Sequence, residues 1–307
     1  MTHSSYHGII PPIVTPLNMD GTVNHDDLAK LVEHLIDAGV DGLFPLGSTG
    51  QVAYLSDADR LAVMKTVCDT TKGRVPVMAG AIELTAARVI DSAKAFLDAG
   101  ADAVVATAPI YAISDDGEVV DHFRMIHAAV DAPLFAYDIP ARGCRKLAPK
   151  MLVDLGKDGV ITGVKDSSGD DVSFRRLIAM NKAAGHPLAL FTGHEVMVDA
   201  MGLFGADGAV PGLANVDAAG YVRLWKAAKA GDLSAAIKEQ ERINALFEIV
   251  FQPTGRSGDA AGVGAFKAAM AVQGLISSDT MTAPLKTLDA KVLDQIHAIV
   301  KDAGLIN

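Results

Sequence analysis

The apolar positions of this chain fall into two alternating patterns. Short runs are apolar almost throughout, and longer stretches carry apolar residues three and four apart. The first pattern suits strands buried on both faces, and the second suits helices lying on a sheet. Gly8–Pro16 predicts the first strand, Gly42–Thr49 the second, Val75–Ala81 the third and Ala103–Ile110 the fourth. Pro133–Pro140 predicts the fifth, the run from Val160 through Lys165 the sixth, Leu188–Thr192 the seventh and Gly208–Leu213 the eighth. Between them, Asn24 can cap a helix that runs to Ala38, and Ser56 with Asp59 opens another. Further helices are predicted from Thr85 to Asp98, from about Gly117 to Ala129, from Pro149 onward, and from Val172 to Ala184.

Eight strands, each followed by a helical segment, predict a (β/α)8 TIM barrel of parallel strands. An open doubly wound sheet would announce itself by a glycine-rich turn after the first strand. Pro11-Pro12-Ile13-Val14-Thr15-Pro16 is nothing like one. Beyond the eighth unit the pattern is helical, over Leu233–Val250, Ala260–Val272 and Lys291–Ala303. The expected organisation is therefore a barrel over residues 1–230 and a C-terminal helical extension over 231–307, with no Pro/Gly/Ser-rich linker between them.

Composition narrows the classes of function. Half of the 307 residues are hydrophobic, enough for a large core, and the net charge of -10 without any Lys/Arg cluster argues against nucleic acid as a partner. Two cysteines, Cys68 and Cys144, form neither a disulfide framework nor a CxxC pair. The polar start, Met1 to Gly8, lacks the apolar core of a signal peptide, and no apolar run is long enough to span a bilayer. A cytoplasmic protein with no membrane partner is expected.

In a parallel barrel the chemistry sits at the carboxyl ends of the strands. Those ends offer Thr15, Gly47-Ser48-Thr49-Gly50, Tyr111, Tyr137, Arg142, Lys165 and Gly193-His194-Glu195. Lys165 stands out. Strand alternation puts it on one face with Ile161 and Gly163, at the end of an otherwise apolar strand. A desolvated lysine either finds a carboxylate, here Asp166 or Asp138, or loses its proton more easily and becomes a nucleophile toward ketones. The Ser48-Thr49 turn could cradle a phosphate through its N–H groups or be an ordinary loop, and Tyr137 could be a packing aromatic. His194-Glu195 does not open a zinc helix motif, because position 198 is Val, and no metal site is expected.

The order Gly47-Ser48-Thr49-Gly50-Gln51, Tyr137-Asp138-Ile139-Pro140, then Lys165 resembles the dihydrodipicolinate synthase/N-acetylneuraminate lyase family from about Gly8 through the last helices. The sequence departs from that family's G-[ST]-T-G-E and Y-N-x-P patterns at Gln51 and Asp138. The resemblance implies a class I aldolase without cofactor, in which Lys165 forms an imine with pyruvate. It implies that Tyr137 shuttles protons, that Ser48 relays to Tyr137, and that Tyr111 completes the relay in a neighbouring subunit. Ser48, Thr49, Arg142 and Val210 are the implied substrate-binding residues, and a homotetramer, a dimer of tight dimers, is the implied assembly. Arg142 and Tyr111 favour synthase-type chemistry on pyruvate and aspartate semialdehyde. The Gly47–Gly50 and Lys165–Asp170 segments look closer to lyases of 2-keto-3-deoxy sugar acids or N-acetylneuraminate. Where the lysine-inhibited synthases place a carboxylate and an aromatic, this chain has Arg88 and Ile110, so feedback by lysine is not expected. A barrel of this kind could also persist as a non-catalytic regulator.

Overall fold

A computed structural model describes residues 6–307; of the polar start read at Met1–Gly8, Met1–Ser5 lie outside them. Seven parallel strands pair in the order β1-β7-β6-β5-β4-β3-β2. They are β1 (Gly8–Ile9), β2 (Met78–Gly80), β3 (Ala103–Thr107), β4 (Leu134–Asp138), β5 (Gly163–Asp166), β6 (Ala189–Thr192) and β7 (Gly208–Ala209). The remaining strand position, predicted over Gly42–Thr49, is held by isolated bridges. Phe44 pairs with Pro12 and Leu43 with Val77, which joins the two edges and closes the barrel.

The strands at this seam are shorter than predicted, for a physical reason. Pro11, Pro12, Pro45 and Pro76 carry no backbone N–H and so break the ladder. Their carbonyls still serve it: Phe44 N–H donates to Pro11 at 2.9 Å, Leu43 N–H to Pro76 at 2.9 Å and Gly80 N–H to Pro45 at 3.1 Å.

Inside the barrel, Tyr6, Ile10, Phe44, Met78, Phe135, Tyr137, Phe191 and Val210 form an apolar filling separate from the larger core beneath the helices. Glycines make room for the rings: a Cβ on Gly163 would lie 2.4 Å from the Phe135 ring, and one on Gly208 would lie 2.5 Å from that of Phe191. Large and small side chains thus interleave to fill the barrel below its carboxyl face.

The predicted caps form, with Asn24 accepting from Asp27 N–H and Ser56 from Asp59 N–H; Thr85, read as the first residue of its helix, is instead its cap and accepts from Arg88 N–H. Helices Val198–Phe204 and Ala218–Ala230 follow β6 and β7. The extension consists of helices Leu233–Phe247, Gly258–Val272 and Ala290–Asp302. It reaches the carboxyl face of the barrel: Gln240 donates to the Glu195 carbonyl at 3.1 Å, and the Gln51 amide donates to the Thr282 hydroxyl at 2.6 Å. No helix among the described residues is long and apolar enough to cross a membrane.

Candidate active site

β4 and β5 pair in register, with Tyr137 opposite Lys165 and Asp138 opposite Asp166. Alternation turns the first pair into the barrel and the second pair outward. Lys165 is 6% exposed, with its Nζ 4.3 Å from the centroid of the Tyr137 ring and 4.9 Å from that of Phe44. Among the described residues no carboxylate forms an ion pair with it. Asp138 and Asp166, the partners open to it on sequence grounds, are both held by Lys146 instead. The amine is thus enclosed by aromatic faces and a phenol, the setting in which a lysine serves as a nucleophile.

The Tyr137 phenol is the second component. Burial acts to raise its pKa, but the Lys165 charge and side-chain hydrogen bonds with Ser167, Ser48 and Lys165 outweigh burial and hold it below the ordinary phenol value. A phenol so placed gives up and recovers a proton readily. Ser48 is therefore brought to Tyr137, as expected. Ser167 joins them, and its signal was in the sequence: it lies two residues beyond Lys165 and so shares its face.

The turn that carries Ser48 and Thr49 is tightly constrained. Leu46 and Gln51 both take left-handed backbone angles, φ 59 and 57. Gly50 leaves only 3.0 Å between a would-be Cβ and the Ile13 carbonyl, and Thr15 donates to the Gly50 carbonyl at 2.8 Å. Thr15 thus serves the loop rather than the cavity. Val210 lies buried in the barrel filling beside Tyr137 and Phe44.

Arg142 projects from the short helix Pro140–Gly143 that follows β4. Its fork is already engaged: Nη1 and Nη2 both donate to the carboxylate of Asp259, at 3.1 Å in the first case, and Tyr54 donates to the same carboxylate at 3.1 Å. Asp259 belongs to the extension and is separated from Arg142 by 117 positions. Sequence reasoning missed it. Tyr111 stands apart from the other candidates within its own chain, with φ 72 and a side chain 90% exposed.

Beyond β6, His194 pairs with Asp171 at 2.9 Å. Burial pushes the Glu195 carboxyl up to about 7, against the Leu213 and Gly212 N–H groups and the Lys165 charge, which pull it down. A cleft lined by Gly193, His194, Glu195, Asn244, Phe247 and Phe251 opens here. Gly193 on its lining adjoins Ser167: a Cβ there would lie 2.0 Å from the Ser167 hydroxyl. The arrangement offers an amine suited to nucleophilic attack and a phenol suited to proton transfer.

Comparison with known proteins agrees with this geometry. The model of the dihydrodipicolinate synthetase family matches residues 5–303. A 4-hydroxy-tetrahydrodipicolinate synthase of Phenylobacterium zucineum is 30% identical over 100% of both chains. An uncharacterized DapA-like lyase of Halobacterium salinarum is 31% identical over 98% of this chain and 95% of its own. Among solved structures, YagE of E. coli K12, a dihydrodipicolinic acid synthase family protein in complex with pyruvate, superposes with a TM-score of 0.92 at 27% identity. That match covers 98% of this chain and 99% of the other.

Proposed function

Because the chain belongs to the dihydrodipicolinate synthetase family, whose members are class I pyruvate-dependent lyases, we propose that it makes or breaks a carbon–carbon bond between pyruvate and an aldehyde through an imine on Lys165. The observation that carries this reading is the Lys165–Tyr137 pair: a nearly buried amine without a carboxylate partner, facing a phenol of lowered pKa. In this reading the neutral amine attacks the pyruvate ketone and water leaves. The protonated imine draws electrons from the neighbouring carbon, which loses a proton to give the enamine. The enamine carbon then attacks the aldehyde, or in reverse the carbon–carbon bond breaks to release it. Tyr137 carries protons to and from the oxygen involved, with Ser48 as relay, while Ser48 and Thr49 bind the pyruvate carboxylate. Tyr111, exposed on its own chain, would complete the relay in a neighbouring copy of a homotetramer. No cofactor takes part.

For the aldehyde, we favour aspartate semialdehyde and a 4-hydroxy-tetrahydrodipicolinate synthase-type reaction. This choice is supported by Arg142 at the mouth and by relatives of that name at about 30% identity. One observation favours the second reading, a 2-keto-3-deoxy sugar acid or N-acetylneuraminate. Asp259 already fills the Arg142 fork and would oppose an incoming carboxylate.

Borohydride reduction in the presence of pyruvate, followed by peptide mass mapping, tests the nucleophile. The label should fall on Lys165 alone. Lys267 is the informative control: burial lowers its amine to about 7, but it is fully enclosed and donates to the Thr280 carbonyl at 2.9 Å. A label on Lys267, or on no lysine, would refute the imine. Product masses from pyruvate with aspartate semialdehyde, and from sialic acid and keto-deoxy sugar acids, then decide the aldehyde.

A further inference from the structure

We propose that Lys146 is a positioning residue, which clamps the ends of β4 and β5 from outside the barrel and so fixes the spacing of Tyr137 and Lys165 inside it. The inference rests on the roles given above to those two side chains.

The departure at Asp138 from the family's asparagine leads to this residue. Asp138 and Asp166 are register partners on the outer face, directly behind Tyr137 and Lys165, and they are 0% and 5% exposed. Two buried carboxylates side by side repel each other. The Lys146 ammonium bridges them, touching Asp138 Oδ2 and lying 3.0 Å from Asp166 Oδ2. The other oxygen of each is taken by backbone: Leu147 N–H donates to Asp138 Oδ1 at 3.1 Å, and Ser168 N–H to Asp166 Oδ1 at 2.8 Å.

The carbonyls of the same two residues extend the tie. Ser167 N–H donates to the Asp138 carbonyl at 2.9 Å, and Gly193 N–H to the Asp166 carbonyl at 2.6 Å. Lys146 thus sits where the ends of the tyrosine strand and the lysine strand are both anchored by side chains. Burial first, and then the Asp166 charge, push the Asp138 carboxyl up to about 6 even with Lys146 in place. The cluster has no cation to spare.

Removing the ammonium removes the side-chain tie between Asp138 and Asp166 and leaves buried carboxylate without a counterion, so the strand ends part whether one aspartate or two remain charged. Parting of those ends moves Tyr137 relative to Lys165. Proton transfer tolerates little such movement, whereas binding of pyruvate at Ser48-Thr49 does not pass through this contact. The expected signature is therefore a loss of kcat with little change in KM.

The test compares Lys146→Met and the double variant Lys146→Met/Asp138→Asn with wild type. All are assayed as full chains well below their melting temperatures, with folding checked by circular dichroism. In both variants kcat should fall about 10- to 100-fold while KM for pyruvate stays within about threefold, and borohydride should still attach pyruvate to Lys165. The double variant removes one of the facing charges, so it carries the test if Lys146→Met alone fails to fold. Wild-type kcat in either folded variant would mean that Lys146 only stabilises the fold, and would overturn the proposal. Failure of the wild type itself to capture pyruvate would sink the Schiff-base reading instead, a result separable from this one.

Discussion

Replacing Asp259 by asparagine should tighten binding of an aldehyde that carries a carboxylate, and the size of the effect follows from the geometry at the mouth. Arg142 gives both ends of its fork to Asp259, so a second carboxylate must displace that partner or share it. A charge-assisted hydrogen bond is worth roughly 1.5–3 kcal/mol, and an exposed ion pair only about 0.2–1 kcal/mol. The Arg142 side chain is 44% exposed and that of Asp259 17%, which places the competition at about 1–2 kcal/mol after allowance for solvent screening. At about 1.4 kcal/mol per tenfold, KM for aspartate semialdehyde should fall roughly 5- to 30-fold in Asp259→Asn. KM for pyruvate should not move, because its carboxylate is assigned to Ser48 and Thr49. Arg142→Ala should act oppositely, raising KM for that aldehyde by about one to three orders of magnitude, and in its background Asp259→Asn should have no further effect. Steady-state kinetics with the two substrates varied independently measures all of this. A rise in the aldehyde KM of Asp259→Asn would refute the reasoning, since it would mean that Asp259 aims Arg142 rather than competing for it. A wild type inert toward aspartate semialdehyde but active on a keto-deoxy sugar acid would move the assignment to the sugar-acid reading.

Three other perturbations probe the Lys165–Tyr137 pair, the barrel filling and the buried lysine of the extension. Tyr137→Phe should still label Lys165 with pyruvate and borohydride but lose about 10²- to 10⁴-fold in kcat, whereas near-normal turnover would make Tyr137 a packing aromatic. Gly163→Ala would set a methyl 2.4 Å from the Phe135 ring and 2.5 Å from the Ala189 carbonyl, and urea titration should show a loss of about 1–3 kcal/mol. An unchanged midpoint would show that the barrel filling can yield at that point. Lys267 titrates at about 7 in the fold against 10.5 when unfolded, so between those values only the unfolded chain binds its proton. Stability from this group is full above the upper value and is lost as pH falls toward 7, at about 1.4 kcal/mol per pH unit; the difference in stability between wild type and Lys267→Met should follow that slope from pH 7.5 to 10 and be flat if the amine stays charged.

The barrel was legible because its strands are parallel and buried on both faces, which writes them as apolar runs, while the helices between them keep a separate period. What the runs could not show was where pairing stops. Prolines at 11, 12, 45 and 76 read as part of two strands and of the start of a third, yet they supply carbonyls without donors and reduce that seam to bridges. Parity served the site equally well. The alternation that turned Lys165 inward also turned Ser167 inward, and the fold brings both to Tyr137. Asp259 was out of reach of such reasoning, because nothing periodic links the start of an extension helix to a turn 117 positions earlier.

Asp138 marks the boundary between what charge alone can suggest and what only the fold can choose. A carboxylate at the end of a buried strand demands a cation, and three lie just downstream: Arg142, Arg145 and Lys146. By bidentate geometry the arginines are the better candidates. The structure commits both elsewhere, Arg142 to Asp259 and Arg145 to Asp116 and the Ser114 carbonyl, and leaves Lys146 to face two carboxylates at once. A compact ammonium suits that place. It can sit between the ends of adjacent strands, where a planar fork would match one carboxylate and turn its edge to the other. The same selection explains why Lys165 carries no carboxylate partner: Asp166, its neighbour in sequence, and Asp138, on the adjacent strand, point outward and are already neutralised from outside the barrel. The amine proposed as nucleophile has a second lysine, 19 positions before it in the sequence, holding both aspartates behind the wall.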